Sequence, residues 1–120
     1  MNTQKKIAVA DDDPGILDAV TMMLDMEGYD VYATLNGNDI IEQAELPDLY
    51  ILDIWMSGSD GRELCKKLKS EEKTKNIPVI LISASNNLKH SAETAGADDF
   101  LAKPFEIDAL LQKIEMLLSN

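Results

Sequence analysis

Four apolar runs in this chain of 120 residues each stop at a side chain that can do chemistry: Asp11-Asp12-Asp13, Asp53, Ser83 and Lys103. Asp12, Asp53, Ser83 and Lys103 are separated by 41, 30 and 20 residues. If the runs before them are parallel strands of one sheet, all four converge on the edge where open α/β sheets bind ligands. Two ionised carboxylates about 4 Å apart repel by roughly 4 kcal/mol at an effective dielectric near 20, so such a cluster must hold a proton, a cation or both. Oxygen donors favour a hard ion, and Mg²⁺ suits a site with few carboxylates and several waters. Helix capping, the ordinary role of acids at a helix N-terminus, employs Asp13 but leaves Asp11, Asp12 and Asp53 unexplained.

Other chemistries lack their residues. Counted from Asp11, the sixth and twelfth positions of a calcium loop hold Ile16 and Met22 instead of glycine and glutamate. Counted from Asp53, Gly58 is sixth, but Trp55 is third and Leu64 twelfth. No G-x-x-x-x-G-K-[ST] or G-x-G-x-x-G motif occurs, which leaves nucleotide readings without support. His90 is the only histidine and has no nucleophile and acid placed to act with it, so it reads as a surface helix residue.

The elements that must position these groups alternate in period. KIAVA (6–10), YDVYAT (29–34), LYIL (49–52), PVILIS (78–83) and DFLA (99–102) predict strands, and LYIL is continuous enough to be buried on both faces. Asp13-Pro14 reads as a helix N-cap and first helical residue, with Ile16, Val20, Met23 and Leu24 following and Gly28 as the stop. A short helix with Ile40, Ile41 and Ala44 ends at Pro47. After a loop SGSDG (57–61), Asp60 caps a helix over 61–70 with Leu64 and Leu68 inward. A helix over 87–95 stops at Gly96, and the last starts near Pro104, with Ile107, Leu110, Leu111, Ile114, Leu117 and Leu118 in one stripe. Five strands alternating with five helices predict an α/β domain with a mostly parallel sheet and right-handed crossovers. Cys65 reads as a core residue, and Met22, Met23 and Met26 as helix packing or partly exposed surface.

Composition narrows the setting. A mass of 13.3 kDa suits one domain. The chain has 22 acids against 11 bases, a net charge of −11, which argues against direct binding to nucleic acid or anionic lipid. A single cysteine excludes an internal disulfide and suits a reducing compartment. The runs 49–56 and 77–84 fall far short of the ~20 residues that span a bilayer, and no signal-peptide pattern precedes the acids at 11–13. The expectation is a soluble cytoplasmic domain.

Four blocks, ADDDPGIL (10–17), LYILDIWMSGSDG (49–61), PVILISAS (78–85) and GADDFLAKPF (96–105), resemble the signature blocks of response-regulator receiver domains of two-component signalling, in that family's order and across the whole chain. The resemblance implies a flavodoxin-like, doubly wound sheet of five parallel strands ordered 2-1-3-4-5, five helices on both faces, and one receiver domain over 1–120. It implies Asp53 as the phosphoacceptor. Asp12 would ligate Mg²⁺ directly and Asp11 through water, with Asp53 and the Trp55 backbone carbonyl as further ligands and Mn²⁺ as a substitute ion. Ser83, the Ala84 backbone N–H and Lys103 would contact the phosphoryl group, and Ser83 with Phe100 would form the switch. The implied partners are a sensor histidine kinase or phosphotransfer protein and a downstream effector protein or domain. The face of residues 87–119 is then the surface that changes, and a candidate homodimer contact. Such a module phosphorylates itself and is not an enzyme acting on others.

Three positions depart from the family's usual pattern. Ser57 stands where proline is common, Phe100 replaces the commoner tyrosine, and Ser83 replaces the commoner threonine while keeping the hydroxyl. Trp55 admits two readings, a shield over the acyl phosphate or a ring lying flat on the surface. A small phosphohydrolase of the haloacid-dehalogenase type shares the Asp, Mg²⁺, Ser and Lys set, but its D-x-D pattern is broken here by Trp55. A receiver that only docks, without phosphorylation, is a third reading. Both a free-standing receiver and one domain of a larger regulator fit the chain.

Overall fold

Leu49–Asp53 (β3) is buried at all five positions, the mark of a strand covered on both faces. It is the centre of a five-stranded parallel sheet in the computed structural model, which describes residues 4–43, 45–56 and 58–119. Lys6–Ala10 (β1) and Val79–Ser83 (β4) flank it, with Asp30–Thr34 (β2) and Asp99–Ala102 (β5) outside them. The order is therefore 2-1-3-4-5, as the resemblance implies. Register aligns the strand ends: Ala10 pairs with Thr34 and Leu52, Asp53 with Ile82, and Ser83 with Ala102.

The period-two alternation divides the core into two layers. Ile7, Val9, Leu49, Ile51, Ile80 and Ile82 face Leu17, Val20 and Leu24 of α1 (Pro14–Met26) and Leu110 and Ile114 of α5 (Ile107–Leu118). Ala8, Ala10, Tyr50, Leu52, Val79 and Leu81 face three helices: α2 (Asn38–Ile41), α3 (Gly61–Ser70) and α4 (Leu88–Ala95). Each large side chain so buried contributes about 1.5–3 kcal/mol, and removing one also opens a cavity. Cys65 lies wholly within the second layer. Met22 and Met26 are exposed, Met23 is half-buried, and His90 is on the surface.

Local signals explain the helix ends. Asp13 is extended (ψ 108°), and its Oδ1 accepts the N–H of Gly15 at 2.9 Å and of Ile16 at 3.4 Å, with Pro14 at the first helical position. Asp60 caps α3 in the same way, accepting the Arg62 N–H at 2.8 Å. Gly96 closes α4 with φ 82°, a left-handed conformation that glycine adopts without penalty.

Several boundaries differ from the sequence expectation. The last helix begins at Ile107, not near Pro104, because Glu106 is still extended (ψ 138°) and its carbonyl accepts the first helical N–H groups, from Ala109 and Leu110. The Lys103–Pro104 peptide is cis. The second helix is one turn ending at Ile41, enough to bury Ile40; Ala44 lies outside the described residues. The expected strand at 78 starts at Val79, since Pro78 has no N–H for the ladder. The expected loop 57–61 carries structure of its own: Trp55–Met56 pairs antiparallel with Ser59–Asp60. Gly58 has φ 78°, and Ser57 lies outside the described residues. Among the described residues no helix is long and apolar enough to cross a membrane.

Candidate functional site

The strand that ends at Ala10 delivers Asp11 into the interior, 2% exposed. Its N–H donates to the Thr34 carbonyl at 3.2 Å, continuing the β1–β2 ladder, and its Oδ1 accepts the Asp13 N–H at 2.9 Å. The acidic triplet is thus divided: Asp13 caps α1, while Asp11 and Asp12 stay with the sheet edge. Asp53 ends β3 at 4% exposure, and the Ile54 N–H after it donates to the Ile82 carbonyl. Carboxylate oxygens of Asp11, Asp12 and Asp53 lie within 4.8 Å of one another.

Lys103 completes the cluster. Its N–H donates to the Ser83 carbonyl at 2.9 Å, which extends the β4–β5 ladder by one residue. Its Nζ lies 3.1 Å from Asp11 Oδ2 and 3.2 Å from Asp53 Oδ2. Burial first, and then the Asp11 charge, push the Asp53 carboxyl up to about 6, while Lys103 pulls it back. Burial works against the Lys103 ammonium too, but its close contact with Asp11 and the two carboxylate charges hold it above the ordinary lysine range. Ser83 is fully buried at the end of β4, and its Oγ accepts the Ser85 N–H at 3.0 Å.

The residues fit a hard divalent cation. The side-chain oxygens gathered here, from Asp11, Asp12 and Asp53, are all carboxylate, and the buried Asp11 Oδ2 is met only by the Lys103 ammonium at 3.1 Å, an ion pair without hydrogen-bond alignment. A buried carboxylate oxygen with unused acceptor capacity is what such an ion would satisfy.

Three other expected residues contribute no charged side chain to this cluster. Ala84 is exposed and, with Gly15, Ile16, Lys103, Pro104 and Phe105, lines a cleft of about 390 Å³. Phe100 is half-buried, pairs with Leu81 in the ladder and packs against the α3–α4 layer. Lys113 Nζ, itself 3.0 Å from Asp99 Oδ1, lies 6.0 Å from the Phe100 ring centre. Trp55 is 57% exposed in the short ladder two residues past Asp53.

Sequence reasoning missed what surrounds Trp55. Arg62 forms a bidentate pair with Asp60 (Nε–Oδ1 3.0 Å, Nη2–Oδ2 2.7 Å), and its guanidinium carbon lies 4.7 Å from the indole centre. Arg62 holds the Asp60 carboxyl below its usual range. The available signal was the D-G-R sequence at 60–62, an N-cap followed by the one residue small enough to lie against the Asp53 carbonyl.

The family model described as the response regulator receiver domain matches residues 7–115. The chain belongs to the response regulator receiver domain family. This receiver is 35% identical over 117 residues to the DNA-binding dual master transcriptional regulator RpaA of Synechocystis, covering 94% of this chain and 48% of that protein. It therefore spans about half the length of that curated relative. Among solved structures, it is 32% identical to the response regulator TrrA of Thermotoga maritima in complex with Mg²⁺ and BeF, with a TM-score of 0.86 over 96% of this chain and 100% of that one. The signal receiver domain of a signal transduction histidine kinase from Syntrophus aciditrophicus is 30% identical, with a TM-score of 0.89 over 96% and 90% of the two chains. Receiver domains bind Mg²⁺ at an acidic pocket, and this one brings Asp11, Asp12 and Asp53 together. Membership sets the haloacid-dehalogenase reading aside.

Proposed function

We propose that this receiver is a phosphorylation-activated switch whose phosphoacceptor is Asp53. The observation that supports it most is the Lys103 ammonium set between two buried carboxylates at the carboxyl edge of the sheet. An oxygen of Asp53 attacks the phosphorus of a phosphohistidine or a small acyl phosphate. The bond from phosphorus to the donor breaks and a mixed anhydride forms on Asp53. Lys103 neutralises charge on the transferred group, and the Ser83 hydroxyl and Ala84 N–H donate to its oxygens. Asp11, Asp12, Asp53 and the Trp55 carbonyl would hold Mg²⁺, or Mn²⁺ in its place, and that ion would supply further charge neutralisation.

In this reading the donor is a sensor histidine kinase or phosphotransfer protein in the cytoplasm, and the recipient of the signal is an effector protein or domain. The domain covers 1–120 and acts by protein contact, without binding nucleic acid or membrane directly. Movement of the Ser83 hydroxyl toward the phosphoryl group lets Phe100 turn inward, which reshapes the surface of residues 87–119. Moving a 1:99 equilibrium to 99:1 takes about 5.5 kcal/mol, more than one or two charge-assisted hydrogen bonds supply, so the shift is partial. Incubation with Mg²⁺ and a small acyl phosphate, followed by intact-mass measurement, tests the assignment. Wild type should gain one phosphoryl group and Asp53→Asn none; equal gain by both would refute it.

A further inference from the structure

Trp55, Asp60 and Arg62 form a closed ring of contacts directly after the acceptor strand. Trp55 pairs with Asp60 across the short antiparallel ladder. Asp60 receives both a main-chain N–H and a two-point side-chain contact from Arg62. Arg62 in turn lies over the Trp55 indole at 4.7 Å. The ring is anchored to the acceptor strand by the Gly61 N–H, which donates to the Ile54 carbonyl at 2.9 Å.

Asp60 and Arg62 are half-buried, while the indole is exposed. A surface ion pair alone contributes little, because two long side chains must be ordered to make it. Here a planar guanidinium is held at two points by one carboxylate, and that carboxylate is already fixed as the cap of α3, so little further order is lost. The indole then rests on a cation whose position is set from elsewhere. Trp55 sits two residues beyond Asp53, at the start of the short ladder.

We infer that Arg62 is a positioning residue for the metal site: through the Asp60–Arg62–Trp55 ring it fixes the main chain at Trp55, and so prearranges the carbonyl assigned there to the cation. The inference rests on the proposed Mg²⁺ site and adds to it a residue on α3 that touches neither the cation nor the phosphoryl group.

The test is calorimetric titration of metal-free, unphosphorylated protein with Mg²⁺ alone, alongside acrylamide quenching of Trp55, the only tryptophan. A cation–π contact of this kind corresponds to roughly a two- to fivefold effect on an equilibrium. Arg62→Gln and Trp55→Ala should each weaken Mg²⁺ binding by about that factor, and the double variant by no more than either alone. Arg62→Lys, which keeps the charge but loses the fork, should recover part of the affinity. Arg62→Gln should also make the indole more open to acrylamide, with far-ultraviolet circular dichroism unchanged. If Arg62→Gln alters quenching but binds Mg²⁺ as wild type does, the ring orients only the indole and the inference is wrong. If wild type itself takes up no Mg²⁺, the metal site proposed above fails, and the inference with it.

Discussion

Gly61 lies against the Asp53 carbonyl so closely that a methyl group on it would overlap that oxygen and crowd the Ile54 Cα. The first residue of α3 and the last residue of β3 are thus in close backbone contact. Gly61→Ala should cost about 1–3 kcal/mol, since the obstacle is main chain and cannot rotate away. Gly15→Ala, whose added carbon meets only the Asp13 carboxylate at 3.4 Å, should instead stabilise by up to about 1 kcal/mol through helix propensity. Urea unfolding of the two variants separates these outcomes; loss of stability in both would contradict the steric account.

The charge cluster predicts a pH dependence with a definite sign. The folded state raises Asp53 from 3.8 to about 6, so it holds that proton more tightly than the unfolded chain does. The resulting stability is fully present below pH 3.8 and is lost as pH rises through about 6. In chelator, wild type should therefore lose on the order of 2 kcal/mol relative to Asp53→Asn between pH 4 and pH 7. Mg²⁺ should stabilise wild type more at pH 7.5 than at pH 5. Thermal melts of both proteins at each pH give the comparison, and parallel curves would count against it.

Lys103 and Ser83 should differ in weight. Lys103→Ala removes the countercharge from two buried carboxylates and from the incoming phosphoryl group, and should slow phosphorylation by a small acyl phosphate roughly 10²–10³-fold. Ser83→Ala removes one neutral donor and should slow it about tenfold. Mass spectrometry at timed intervals measures both rates. A larger effect at Ser83 would mean that orientation matters more than charge.

Cys65 provides a probe of opening. It is wholly buried, its Sγ lies 3.5 Å from the Ala95 carbonyl oxygen, and burial pushes the thiol up to about 11. At pH 8 alkylation of the folded protein should be roughly 100-fold slower than of the urea-unfolded chain. Fast labelling of the native state would show that α3 and α4 separate readily.

Asp98 joins layers at the opposite edge. Its Oδ2 accepts from the Val79 N–H at 2.8 Å and from Lys69 Nζ at 2.7 Å. Asp98→Ala leaves the β4 amide without its acceptor and should cost about 1–3 kcal/mol without changing the phosphorylation rate of the folded fraction.

The sheet and the charged cluster could be read from the chain because both depend on short-range pattern. Apolar runs of four to six residues mark the strands, and the reactive side chain after each run marks the same edge, so Asp11, Asp53 and Lys103 could be brought together before any coordinates. The strand order needed the family resemblance, since alternation alone leaves several orders open. What the chain does not reveal depends on tertiary context. The stripe from Ile107 to Leu118 identifies α5 but not its first residue, which is decided by the extended backbone at Glu106. The stacking of Arg62 on Trp55 bridges seven positions through a turn, a separation that no helical or strand period encodes.

Parallel register gives the two ends of the sheet unequal tolerance for inserted residues. Every group of the cluster is aimed by its place at the end of a strand, so one extra residue between Ala102 and Lys103 would turn the ammonium to the other face of the sheet and separate it from both carboxylates. The same residue inserted in the exposed 71–73 stretch on the far side disturbs the local turn, in which the Glu71 carbonyl accepts the Thr74 and Lys75 N–H groups, but re-aims no group of the cluster. Reporter groups and fused peptides should therefore be tolerated better at the amino ends of the strands than at the carboxyl ends, which are constrained in length as well as in residue type.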